Sequence, residues 1–277
     1  MKQEVEFIKL NPTQNMTILV KTNHPRELHP RIATKLMSYD SVYAEQVGFI
    51  EQATTKEAAA HLNMAGGEFC GNACMALASL IASTKLVDEQ DLTEIVLNAS
   101  GTKELIRCNV IKTTDHYDCQ VTMPSPEIIE QKAIEYDGEH TEIVIVRYDE
   151  FIHIVMEINE CNESMKKKAE SLARLLGVAG GAKVIGILLY QATTNEMSPL
   201  IYVPHIDSMI WERGCGSGTA SIGAYLAWKT KRAVQVQVKQ PGGTMKVLAM
   251  VDNEKITRLS IEGSVGIVAE GKAFIDL

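Results

Sequence analysis

Two cysteines occupy matching local sequences. Cys70 stands in Gly66-Gly67-Glu68-Phe69-Cys70-Gly71-Asn72-Ala73, and Cys215 in Trp211-Glu212-Arg213-Gly214-Cys215-Gly216-Ser217-Gly218-Thr219. Each is followed by glycine and a small polar residue, and each opens a stretch with helical period. A thiol at a helix N-terminus meets exposed N–H groups and the positive end of the dipole, which together predict a lowered pKa. The same N–H groups can hold a carboxylate. Gly71 and Gly216 leave the following amides uncovered, while Asn72 and Ser217 occupy positions that cap a helix or donate to an anion. One such cysteine suggests a nucleophile; two in matching settings, one in each half, suggest opposed proton-transfer groups.

Glu212, three residues before Cys215, is read as the partner of a substrate ammonium, since a carboxylate beside an anion site is otherwise repulsive. Asn15 and Gln46 are uncharged donors near strand ends. Cys74 follows Cys70 by four residues, but no second ligand pair with zinc-like spacing accompanies it, so core packing is the better reading. Cys108, Cys119 and Cys161 receive no role. Gly214 to Gly218 places glycine where a nucleophile elbow needs serine, and Thr219 where a dinucleotide fingerprint needs its last glycine. A Cys–His nucleophilic enzyme remains open, because His61, His116, His153 and His205 are available.

The elements that must position these residues are mostly short strands. β-branched residues and partial alternation predict strands at 5–10, 16–21, 46–52, 94–99, 104–111 and 117–123, then at 141–148, 151–158, 183–190, 234–239, 245–251 and 255–261. Helical period predicts helices at 26–37, 72–83, 163–176 and 217–230. The third is stopped by the glycine-rich stretch 177–181, and the fourth carries a small-residue stripe of Ala220, Ala224 and Ala227. The order is an approximate duplication, with the crossover at Pro124, Pro126 and the polar residues 127–130.

A chain of 277 residues with a net charge of −8 argues against nucleic acid or an anionic membrane as partner. The acidic N-terminal residues lack the apolar run of a signal peptide, and no apolar run is long enough to span a bilayer. Six cysteines at this length do not make a disulfide scaffold, so the expectation is a cytoplasmic enzyme with reduced thiols.

At these residues the chain resembles the diaminopimelate epimerase fold family of cofactor-independent racemases and epimerases. Residues 69–73 are similar to its first cysteine motif and 211–219 to its second; 11–17 resembles the turn whose asparagine, here Asn15, binds substrate, and 45–50 the strand carrying Gln46. Residues 262–275 resemble its closing strands. Two departures stand out: Phe151-Ile152-His153 replaces an Asn-Pro-His turn, and Gly186 stands where the family has an asparagine. Those asparagines hold the far end of diaminopimelate, so their loss points to another amino acid. Within the family the texture is most similar to the histidine racemases of staphylopine metallophore biosynthesis, through Asn11-Pro12, residues 15–20, 45–51, 68–73, 199–202, 215–223 and Gln240-Pro241-Gly242-Gly243.

The resemblance implies an α/β (α+β) fold of two pseudo-symmetric domains, each a curved mixed sheet wrapped around a central helix. Residues 1–124 with 266–277 would carry Cys70, and 125–265 would carry Cys215. It implies a racemase needing no metal, PLP or other cofactor, with Cys70 and Cys215 as acid and base on a small amino acid, histidine in the closest case. Asn15, Gln46, Gly71, Asn72, Glu212, Arg213, Gly216 and Ser217 would bind substrate, and a homodimer is common in the family. A diaminopimelate epimerase, another racemase of the fold, a Cys-nucleophile hydrolase and a non-catalytic amino-acid-binding protein stay open.

Overall fold

Alternating burial and two largely buried helices organise the chain in the computed structural model, which describes residues 2–85, 88–136, 139–179, 181–253 and 255–277. Contacts divide it into two compact units, Met1–Thr122 with Glu262–Leu277, and Met123–Ile261. The first contains β1 (Lys2–Pro12), β2 (Thr17–Val20), α1 (His29–Met37), β3 (Gln46–Glu51), β4 (Ala60–Met64), α2 (Gly71–Ser83), β5 (Leu92–Ala99), β6 (Ile106–Lys112) and β7 (Tyr117–Thr122). The second contains β8 (Ile128–Tyr136), β9 (Glu139–Arg147), β10 (Phe151–Glu157), α3 (Glu163–Ala179), β11 (Val184–Gln191), β12 (Glu196–Val203), β13 (Ser208–Trp211), α4 (Gly216–Thr230), β14 (Val234–Gln240) and β15 (Gly243–Asp252); the long β16 (Lys255–Asp276) begins in the second and continues into the first.

In the first unit β1 to β7 are hydrogen-bonded neighbours in chain order, antiparallel except for the parallel pairs β2–β3 and β4–β5. The sheet curls around α2, which contacts all seven strands. That explains why Gly71 to Ser79 are buried without a polar face. α1 covers the other face, where Ile32, Ala33 and Leu36 pack with Ile18, Val20, Val47 and Phe49. The last part of β16 pairs antiparallel with β1, from Pro12↔Val265 to Lys2↔Asp276.

The second unit repeats the plan, with β10–β11 parallel and β9–β10 and β11–β12 antiparallel. α4 lies against β9, β10, β14 and β15. Ala220, Ala224 and Ala227 are fully sheathed, as a close helix–sheet approach requires. α3 takes the opposite face of β10 and β11: Ala169, Leu172 and Ala173 meet Ile152, Ile154, Ile185 and Ile187, while His153 points to α4. The molecule is therefore a mixed α+β fold with a large mixed sheet and few helices. Among the described residues no helix is long and apolar enough to cross a membrane.

Several expectations need correction. Residues 26–28 form a 3-10 turn, and the α-helix starts only at His29, with Pro30 in its first turn. α3 runs through Gly177 to Ala179, so that glycine is no stop. A Cβ there would come within 2.7 Å of Tyr202 Cε1, making it a contact glycine between α3 and β12. Gly180, from the same stretch, lies outside the described residues. β8 begins at Ile128, inside the polar run assigned to the crossover. β4, β12 and β13 were not anticipated, and 255–261 and 262–275 form one continuous strand rather than two.

Candidate active site

Cys70 is the N-cap of α2, with extended φ −135° and ψ 109°. Its Sγ accepts from Ala73 N at 3.3 Å and donates to Gln46 Oε1 at 2.5 Å. The approach to this cap is fixed from below: Ser100 Oγ donates to Glu68 O at 2.7 Å and accepts from Met64 N at 2.9 Å. Gly101 has φ +71°, and a Cβ there would lie 2.2 Å from Phe69 N, so only glycine lets this turn press against the Cys70 loop.

Gln46 begins β3, opposite Thr17 of the parallel β2. Just before β2, the tight turn at Thr13 and Gln14, both left-handed, is tied by Asn15 N to Pro12 O. It leaves the Asn15 side chain fully buried. Asn15 Nδ2 donates to Glu45 Oε2 at 3.3 Å, whereas its Oδ1 is buried with no hydrogen-bond partner. Such an acceptor is costly unless something occupies it. Asn15, Gln46 and Cys70 thus gather at the start of β2, β3 and α2, with Gly71 and Asn72 buried in the first helical turn, where no intrahelical carbonyl reaches their N–H groups.

Cys215 repeats the motif as N-cap of α4, at φ −117° and ψ 109°. Sγ accepts from Gly218 N at 3.3 Å and lies 3.5 Å from Ser217 Oγ. In both motifs the cysteine sulfur itself does the capping that Asn72 and Ser217 were expected to do. Gly218 is contact-limited, since a Cβ would come within 3.1 Å of Leu188 Cδ2 and 3.2 Å of Cys215 Sγ. The expected pKa depression is reversed at Cys215. Burial pushes this thiol well up, and the charge and hydrogen bond of the Glu212 carboxylate push the same way; Ser217 and Gly218 N–H oppose them less strongly. Glu212 is buried and hydrogen-bonded to the sulfur.

Arg213 is exposed; its carbonyl accepts from Gly242 N at 2.7 Å. With Trp211, Glu212 and Gln240 it lines a groove of about 720 Å³. Sequence reasoning missed Gln240 and Thr219, whose hydrogen bonds surround the Cys215 backbone, and Glu45, which holds Asn15. The Gln240-Pro241-Gly242-Gly243 turn was the visible signal for the first of these.

Behind α4, His153 Nδ1 lies 2.7 Å from Ser221 Oγ, which is also 2.8 Å from Tyr148 Oη. A hydrogen bond to the Ser217 backbone holds the ring as well. Burial drives the imidazole down to about 3, so it is neutral at physiological pH. The ring fills the space over Gly186, its register partner on β11, where a Cβ would meet His153 Cδ2 at 2.3 Å. His153, the residue that Phe151-Ile152-His153 shares with the Asn-Pro-His turn, and Gly186, the second departure, are therefore one packing unit.

Cys74 is fully buried and its thiol is pushed well up by desolvation, in keeping with core packing. Among the described residues no group of three or more His, Cys, Asp or Glu is placed to hold a metal ion.

Comparison with known proteins gives this geometry its context. The family model described as the histidine racemase CntK N-terminal domain matches residues 4–274. The chain belongs to the histidine racemase family. It is 33% identical over 280 residues to a histidine racemase of Staphylococcus aureus, covering 99% of each, and 31% identical over 274 residues to one of Fusobacterium nucleatum, covering 99% of this chain and 98% of that one. In fold it is similar to a probable proline racemase from Agrobacterium radiobacter, with a TM-score of 0.75 at 11% identity, covering 99% of this chain and 93% of that one. A hydroxyproline epimerase from Agrobacterium vitis gives 0.74 at 11% identity, covering 100% and 95%. The protein is an isomerase of the racemase and epimerase type.

Proposed function

We propose that the enzyme interconverts L- and D-histidine by two-base proton transfer at Cα, without PLP. The observation that carries this reading is the repeated cap: two helices, each opened by a cysteine whose sulfur is bound by the N–H three residues on. One sulfur removes the Cα proton and the other returns a proton to the opposite face, the roles exchanging with substrate handedness.

Deprotonation sends charge into the carboxylate, and the first-turn N–H groups of Gly71, Asn72, Gly216 and Ser217 receive it. Preorganised donors of this kind contribute about 3–4 kcal/mol each in comparable sites. Asn15 offers a buried acceptor to the amino group, and Gln46 orients the Cys70 thiol. Glu212 acts on the other side by taking the Cys215 proton, so that a thiol held strongly protonated becomes a base only as it is used. Histidine as substrate rests on the full-length likeness to the curated racemases.

L-Histidine turned over in deuterated water, after dialysis with hydroxylamine to remove any PLP, should give D-histidine carrying one Cα deuterium at an undiminished rate. Retention of Cα hydrogen in the D product, or a need for added PLP, overturns the mechanism. Faster Cα exchange with diaminopimelate, proline or another amino acid overturns the substrate.

A further inference from the structure

We infer that Gln240 and Thr219 are positioning residues for Cys215, holding its backbone on both sides of Cα and thereby aiming the sulfur; the inference deepens the two-base reading and rests on it. Three hydrogen bonds close a ring. Cys215 N donates to Gln240 Oε1 at 2.6 Å, Gln240 Nε2 donates to Thr219 Oγ1 at 2.8 Å, and Thr219 Oγ1 donates to Cys215 O at 2.7 Å. The N–H fixes the peptide before Cα and the carbonyl fixes the peptide after it. Together they set φ and ψ, and with them the direction of the Cα–Cβ bond.

Thr219 is fully buried in α4, while Gln240 ends β14 at the hairpin whose Gly242 N also holds Arg213 O. Two elements far apart in sequence therefore converge on one residue. The first motif lacks the hydroxyl this ring uses: the residue four beyond Cys70 is Cys74, and the Cys70 sulfur is hydrogen-bonded to Gln46. Cys215 is thus held through its main chain as well as at its sulfur. A reacting group displaced by about 1 Å can lose about 10²-fold in rate.

The test uses Gln240→Met and Thr219→Val, which keep side-chain size and remove the ring, with Thr219→Ser as the conservative control. Both ring-breaking variants should lower kcat for histidine at least about tenfold while KM stays within about threefold, and Thr219→Ser should recover most of what Thr219→Val loses. Iodoacetamide labelling read by mass spectrometry should show Cys215 alkylated faster while Cys74 and Cys108 stay protected. Wild-type kcat and Cys215 labelling in Thr219→Val overturn the inference, as does a parallel rise in Cys74 labelling, which marks general loosening. Thr219→Val decides the matter if Gln240→Met does not fold. Labelling is independent of turnover, so loss of the ring's effect and absence of histidine racemisation in the wild type are separately visible.

Discussion

Cys70 and Cys215 share a cap geometry but not an environment. Cys70 donates a hydrogen bond to a neutral amide oxygen; Cys215 is buried against a carboxylate. Replacing either with serine should lower racemisation by about 10²–10⁴-fold, the range of a single acid–base group, measured by chiral chromatography of both directions. Glu212→Gln removes the negative neighbour that holds the Cys215 thiol up, so the pH profile of Cys215 alkylation should move to lower pH. The rate of histidine turnover should fall at the same time, because the acceptor for the thiol proton is lost. An unmoved profile would remove Glu212 from contact with the sulfur. The two cysteines and their glycines were legible because few other uses suit Cys-Gly at a helix start. The sign of the thiol shift was not, since burial and a carboxylate three residues away outweigh the helix dipole only once the packing is known.

Among the elements, α2 and α4 were readable from their small and apolar residues, and most strands from alternation. β8 was hidden because its residues are largely exposed, leaving a polar, edge-like pattern around Glu130, Gln131 and Lys132. β12 was hidden by Pro199, which sits in the strand with its carbonyl accepting from Glu212 N at 3.0 Å. Gly177 misled as a helix stop because its reason, the Tyr202 ring, lies on another element. The pairing of β10 with β11 makes a similar long-range demand at His153 and Gly186. Gly186→Ala should destabilise the protein by about 1–3 kcal/mol in urea unfolding, as overpacking does, and cost much less in a His153→Ala background. Equal costs in both backgrounds would show that the imidazole is not what excludes the methyl group.

For the molecule as a whole, the buried histidine sets an acid limit. His153 has its proton affinity depressed to about 3 in the folded state, against about 6.5 when unfolded. Its contribution is fully present above pH 6.5 and is lost as pH falls from there toward 3, because the unfolded chain takes up the proton first. Burial lowers His24, His29 and His61 in the same direction. The midpoint of thermal unfolding should therefore fall steadily between pH 7 and pH 4, and His153→Gln should flatten that slope; an unchanged slope would exclude His153 as its source. The long final strand has a different consequence, in which unit depends on the end of the chain. β1 is made first, yet its partner along most of its length is residues 265–276, made last. Residues 123–261 all precede that partner in the chain, so the second unit holds its own strands without it while the first needs it to close its open strand edge. A released chain truncated after residue 264 should accordingly keep protease protection in the second unit and lose it in the first.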